Sequence, residues 1–375
     1  MATRARSPLP EHRHTVLVLQ GGGALGAYQA GVYEELQERG LAPDWVTGVS
    51  IGAINAALIA GNRPENRIAQ LRRFWELVSS GFSYVPPHQF DPLRRAFSRL
   101  STTVVATFGV PGFFVPRVPS PVLMPCGGEA ALSVYDTSPL QRTLGELVDF
   151  DLINTGATRM SVGAVDIQSG NSVYFDNVSG GTRLGPEHVM ASGALPPGFP
   201  PVQIGAAWYW DGGLASNSPL WYVLDEGSDL NALVFQIDLF SARGGVPQSL
   251  DDVLERSKDI QYSSKTRFNT GRARDDEALR EATRQVLAKL PPRLRDDPSA
   301  KLLEKRAQGR KISIVHLINR RNDFATVAKD YDFSRATIEA LWEAGRADLR
   351  RTLAHPHWRH AAIARDGLRT YDLLP

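Results

Sequence analysis

Apolar positions near the start of the chain form the run Thr15-Val-Leu-Val-Leu-Gln20, which stops at once at glycines and so predicts a short, buried parallel strand. Tyr28, Val32 and Leu36 follow at helical spacing, and Gly40 closes that pattern. Residues 43–47 predict a second strand, Gly48-Val-Ser-Ile-Gly52 a tight turn, and residues 53–60 a helix of small apolar side chains. Strand, glycine turn and helix, twice in succession, is the rhythm of an α/β protein with an open, mostly parallel sheet and helices on both faces. Residues 63–79 then predict an amphipathic helix, with Ile68, Leu71, Phe74, Trp75 and Val78 opposite Arg67, Arg72 and Arg73.

From Ser80 to Gly128 the periodicity breaks into aromatic and proline-rich stretches such as Tyr84-Val-Pro-Pro87 and Pro111-Gly-Phe-Phe-Val-Pro116. A long, apolar, weakly periodic insert of this kind predicts a lid or binding segment over 80–128, or a satellite hydrophobic cluster that covers the sheet. Beyond it the pattern predicts a hairpin turning at Gln168–Asn171, a helix near 187–191 and a strand over 206–211 ending on Asp211. A short helix capped by Asn217-Ser-Pro219 and a buried strand over 232–238 follow. After 247 the chain is charged and mostly helical, apart from a strand over Lys311–Ile318. The expected organisation is a flexible arm (1–14), a catalytic α/β domain (15–247) and a mostly helical C-terminal extension (248–375).

An apolar share of 42% over 375 residues suits a globular chain with a sizeable core and excludes a disordered one. The net charge of +2 offers no footing for nucleic acid. It hides an asymmetry: residues 1–247 carry 16 basic and 21 acidic side chains, residues 248–375 carry 26 and 19. The basic tail offers peripheral contact with an anionic membrane surface, although its interspersed acids read better as a solvated helical face. Cys126 is the only cysteine, which excludes an intrachain disulfide and a cysteine-rich metal site. No apolar run approaches the ~20 residues that span a bilayer, and none near Met1 serves as a signal-peptide core. The expectation is a cytoplasmic protein, soluble or peripherally attached.

Three motifs can carry chemistry. Gly21-Gly-Gly-Ala-Leu-Gly26 lies between strand and helix and fits GxGxxG; its row of N–H groups at a helix start suits either a pyrophosphate or a tetrahedral oxyanion. Gly48-Val-Ser50-Ile-Gly52 fits the elbow that presents a serine hydroxyl at a strand-to-helix turn; an ordinary serine cap is the plain alternative. Asp211-Gly212-Gly213 ends a strand, as a simple turn or as a carboxylate base at the C-terminal edge of the sheet. Of the histidines (His12, His14, His88, His188, His316, His355, His357 and His360), none stands in a pattern that marks a triad member. A histidine-assisted carboxylesterase stays open as an alternative, as does, more remotely, a dinucleotide-binding oxidoreductase using Gly21–Gly26. For the latter Asp44 has the right spacing but the wrong end of the strand.

Taken in order, Gly21–Gly26, Gly48–Gly52 and Asp211–Gly213, with Ala191-Ser-Gly-Ala-Leu-Pro-Pro-Gly-Phe-Pro-Pro-Val202 upstream of the last, resemble the patatin-like phospholipase family across residues 15–240. The resemblance implies a Ser-Asp dyad, with Ser50 as nucleophile and Asp211 as its partner. It further implies oxyanion N–H groups from Gly22, Gly23 and Ala24, and elbow geometry adds Ile51. It implies acyl transfer from a lipid or other ester substrate with no metal and no cofactor. One departure stands out: many members carry a basic residue where this chain has Leu25, so the cation that could hold a lipid phosphate is missing there.

Overall fold

The computed structural model describes residues 14–82, 91–226, 231–263, 266–307, 311–320, 329–360 and 367–374. The expected arm up to residue 13 with His12, the Tyr84–Pro87 stretch and His88 lie outside the described residues.

The first apolar run forms β1 (His14–Leu19), and its alternation places Leu17 and Leu19 in one hydrophobic cluster and Val16 and Val18 in another on the opposite face. The larger cluster takes helices α1 (Ala27–Glu38) and α2 (Ile51–Ala60); every side chain of α2 is buried, as a helix apolar all round requires. The other strands are β2 (Trp45–Val49), β3 (Val115–Pro116), β4 (Tyr135–Asp136), β5 (Arg159–Asp166), β6 (Ser172–Asp176), β7 (Val202–Ile204), β8 (Ala207–Asp211), β9 (Asn231–Asp238), β10 (Lys311–Ile318) and β11 (Gly367–Tyr371). The main sheet runs β11-β10-β9-β1-β2-β5-β8-β7, with β6 also paired to β5. From β11 to β5 neighbours are parallel; β6, β8 and β7 are added antiparallel.

The antiparallel strand β8 sets up the site. On β5, Gly163 pairs with Val49, the last residue of β2, and the next residue, Ala164, pairs with Asp211, the last residue of β8. The two strands thus approach from opposite directions along one edge of β5 and end beside each other.

Segment 80–128 is more regular than its sequence pattern indicates. Residues Asp91–Phe108 form a helix, whose β-branched Thr102-Thr103-Val104-Val105 blurs the helical signal between proline-rich flanks. Phe113 and Phe114 are buried in the main core, while Val118, Val122 and Leu123, in the loop between β3 and β4, are exposed.

The sheet also crosses the expected boundary at 247, since β10 and β11 extend it beside β9. The helix Arg335–Ala354 packs on α1 so closely that a Cβ on Gly31 would stand 1.9 Å from the Trp342 carbonyl oxygen, and one on Gly345 2.1 Å from that of Tyr28. Tyr28 Oη donates to Asp348 (2.9 Å) and Trp342 Nε1 to Glu34 (2.6 Å) across the same seam. Gly345→Val is therefore expected to cost about 3 kcal/mol or more, because the obstacle is backbone and cannot turn aside. Urea unfolding followed by circular dichroism measures it; an unchanged midpoint would contradict the close packing.

Candidate active site

Ser50 sits where β2 turns into α2 with φ 56° and ψ −126°, the sole described non-glycine residue with positive φ. Such a backbone costs of the order of 1–3 kcal/mol and persists only where its surroundings impose it. Here they are identifiable. A Cβ on Gly52 would stand 2.4 Å from the Leu19 carbonyl oxygen, and one on Gly48 2.2 Å from that of Gly52, so the elbow's two glycines let β1, β2 and α2 converge. The Ser50 N–H is held by the Ser192 carbonyl (3.0 Å) and hydroxyl (3.1 Å), and that hydroxyl donates to the Gly163 carbonyl (2.6 Å).

Asp211 lies next to this elbow by the strand register described above. Its Oδ1 accepts from Gly213 N–H (2.7 Å), and the Ser50 side chain stands near enough to its carboxyl to lower its pKa. Burial pushes the Asp211 carboxyl up to about 7, against the lowering effect of those two groups. A carboxylate with an ordinary pKa near 4 is a weak base at neutral pH; one near 7 is matched to taking a proton from a hydroxyl.

The glycine loop runs past both groups. Gly21, Gly22, Gly23, Ser50, Ile51, Asp211 and Gly213 all line one cavity of about 70 Å³, walled by Phe113, Phe114 and Phe199. Gly23–Gly26 form a single 3-10 turn leading into α1, so the N–H groups of Gly22 and Gly23 and that of Ile51 at the start of α2 stand at the beginnings of helical turns. Ala24 is fully buried in that turn and does not line the cavity. Leu25 is also buried, in the main core, and Gly26 and Gly212 are buried with it.

Sequence reasoning missed the residues that hold these parts together. Asn217 Nδ2 donates to the Gly21 carbonyl (3.0 Å) and to that of Tyr262 (2.8 Å), while Gly21 N–H donates to the Asn217 carbonyl (3.2 Å). Gln20 Oε1 accepts from the N–H groups of Leu239 (2.5 Å) and Phe240 (3.0 Å), and its Nε2 donates to the Tyr262 carbonyl (3.1 Å). Asn55, read as one more small residue of α2, donates to the Gly26 carbonyl and Gln29 and accepts from Trp75 Nε1. Tyr262, Asp330, Tyr331 and Phe333 reach the cavity from the C-terminal half of the chain, with no motif to announce them.

No histidine lines this cavity among the described residues. His188 is buried in the helix Pro186–Ser192, where its Nδ1 accepts from Gly185 N–H (3.0 Å), and His316 is buried in β10.

Comparison with known proteins decides the family. A family model described as patatin-like phospholipase matches residues 17–224, and a second, described as patatin phospholipase, matches residues 260–363. The chain belongs to the patatin-like phospholipase family. The second match shows that this patatin-like chain keeps family character where Tyr262, Asp330, Tyr331 and Phe333 enter the cavity. Its curated relatives include the neuropathy target esterase sws of Drosophila melanogaster, 46% identical over 95 residues, which cover 25% of this chain and 7% of that protein. The same protein from Drosophila sechellia matches at the same identity over 25% of this chain and 6% of its own length. The patatin-like chain thus spans a small fraction of those relatives. Among solved structures, VipD from Legionella pneumophila aligns at 15% identity over 88% of this chain and 67% of that one, with a TM-score of 0.32.

Proposed function

We propose that this chain is a serine hydrolase that cleaves acyl ester bonds of lipids through a Ser50–Asp211 dyad. One observation carries the reading: a serine held at positive φ shares a cavity lined by a glycine loop with a carboxyl that burial pushes up to about 7. Ser50 Oγ attacks the ester carbonyl carbon as its proton passes to Asp211. The oxyanion receives hydrogen bonds from Gly22, Gly23 and Ile51 N–H. Collapse expels the alcohol, which takes the proton from Asp211 and leaves Ser50 acylated. Water then repeats the sequence, giving its proton to Asp211, and releases the acid as Ser50 recovers its hydrogen. Every bond made or broken is served by groups of the chain and by water.

A lipid-like fluorophosphonate traps only an activated serine, so it tests this directly. Peptide mapping is expected to find one adduct, on Ser50, absent in Asp211→Asn. An adduct elsewhere, or none, would overturn the dyad.

We place the ester and the first carbons of the chain in the cavity of about 70 Å³ and the rest of a longer acyl chain beyond it. The loop that follows the Phe113-Phe114 wall exposes Val118, Val122 and Leu123. We assign this loop to the acyl-binding segment and to peripheral contact with the lipid surface that delivers the substrate. No helix among the described residues is long and apolar enough to cross a membrane. Val122→Asp combined with Leu123→Asp is expected to lower hydrolysis of a long-chain ester in vesicles about tenfold and to leave a soluble short-chain ester unchanged. Equal losses on both would refute the assignment.

A further inference from the structure

Asp330 stands in the 3-10 turn Lys329–Tyr331 and lines the cavity together with Ser50, Asp211 and Gly23. Its backbone is seated on the glycine loop: a Cβ on Gly23 would come within 2.2 Å of the Asp330 carbonyl oxygen. Its carboxylate is largely buried and paired with Lys258 (2.5 Å). The neighbouring Lys329 is divided between Asp259 (2.7 Å) and Glu255 (3.2 Å). Two lysines behind this wall therefore serve three carboxylates. Among the described residues lining the cavity there is no Lys, Arg or His, and the carboxylic acids are Asp211 and Asp330. The position where a cation could have held a phosphate is Leu25, buried in the core.

A phosphate on the Asp330 side of the scissile ester would lie against that carboxylate or draw Lys258 away from it. Either outcome leaves like charges, or an unpaired carboxylate, in a poorly solvated cavity. We infer that Asp330 is a specificity-determining residue, which disfavours esters with a negative charge beside the scissile bond and directs the site toward neutral acyl esters. This rests on the hydrolase reading above and deepens it by naming the substrate class.

The test compares 1-octanoylglycerol with its 3-phosphate, below their critical micelle concentrations, as substrates of the full chain. The two share acyl chain and glycerol and differ in the phosphate, which brings negative charge near the ester. Wild type is expected to favour the neutral ester at least tenfold in kcat/KM. Asp330→Asn should shrink that ratio severalfold, and Asp330→Glu should restore it. A residue that merely props the wall would lower both rates in parallel and leave the ratio fixed. Equal or faster Ser50-dependent cleavage of the phosphate ester by wild type, or an unchanged ratio in Asp330→Asn, overturns the assignment while leaving the hydrolase intact. Cleavage of neither ester, together with no fluorophosphonate adduct on Ser50, removes the hydrolase reading and this inference with it.

Discussion

Replacing Ser50 by alanine is expected to lower ester hydrolysis about 10⁴-fold or more while leaving substrate affinity nearly unchanged. The hydroxyl is the group that forms the acyl bond, and the glycine loop cannot act on an ester without it. The backbone adds a second, independent expectation. At φ 56° and ψ −126° alanine is as strained as serine, so Ser50→Ala should unfold at nearly the wild-type denaturant concentration. Glycine is not strained there, and Ser50→Gly should be more stable by about 1 kcal/mol, the strain released less the entropy that glycine adds to the unfolded chain. Two equally inactive variants, one of them stabilised, would show that the fold carries the strain for the sake of the hydroxyl. If Ser50→Ala kept its activity, the elbow would be an ordinary turn. If both variants were equally stable, the backbone would not be strained at all.

Those elements whose side chains repeat a simple rule were legible in the chain. β1 and β9 are largely apolar because a parallel strand in mid-sheet is covered on both faces, and Tyr28, Val32 and Leu36 at helical spacing mark α1, which is buried almost all round. The short strands β7 and β11, of three and five residues, offer too few positions for any period to show. The C-terminal segment is mostly helical as its sequence indicates, but the way it packs was not legible. Its helices are charged enough to read as a solvated layer, yet Gly31 and Gly345 let one of them touch α1 backbone to backbone, a contact between positions more than three hundred residues apart.

The candidate site divides the same way. Ser50, Asp211 and the glycine loop carry local signatures, since an elbow or a helix-start loop constrains its own neighbours in sequence. Gln20 and Asp330 carry none, and the local patterns around Asn217 (a helix cap) and Ser192 (the segment before Asp211) do not disclose what these side chains hold. Each acts through a partner brought to it by the sheet: Asn217 through Gly21, Gln20 through Tyr262, Ser192 through Gly163, Asp330 through Lys258. A polar side chain whose role is to hold a distant segment looks in sequence like any buried amide or surface acid.

Asp211→Asn is expected to abolish hydrolysis and, above neutral pH, to stabilise the protein. Burial holds the carboxyl near 7 in the folded state, against about 4 in the unfolded chain. Below pH 4 both states are protonated and the group contributes nothing. Between 4 and 7 the native state keeps a proton that the unfolded state gives up, so stability falls as pH rises, and above 7 the full cost is on the order of 4 kcal/mol. Asparagine keeps the acceptor for Gly213 N–H without the charge, so the variant should lose Asp211's share of the slope, while the raised carboxyls of Asp330 and Glu255 keep theirs, and exceed wild type by a few kcal/mol at pH 8. Wild-type activity should run the other way, rising through about pH 7 as the base ionises. A limb near 7 alone would also suit an imidazole, but the stability curve separates the two. Burial lowers the pKa of both His188 and His316, so each lets go of its proton more readily when folded, and its contribution to stability grows as pH rises. The part of a falling slope that is lost in Asp211→Asn therefore belongs to that carboxyl. Denaturant midpoints measured from pH 4 to 9 on both proteins would show it, and parallel curves would mean that Asp211 is not the group that titrates.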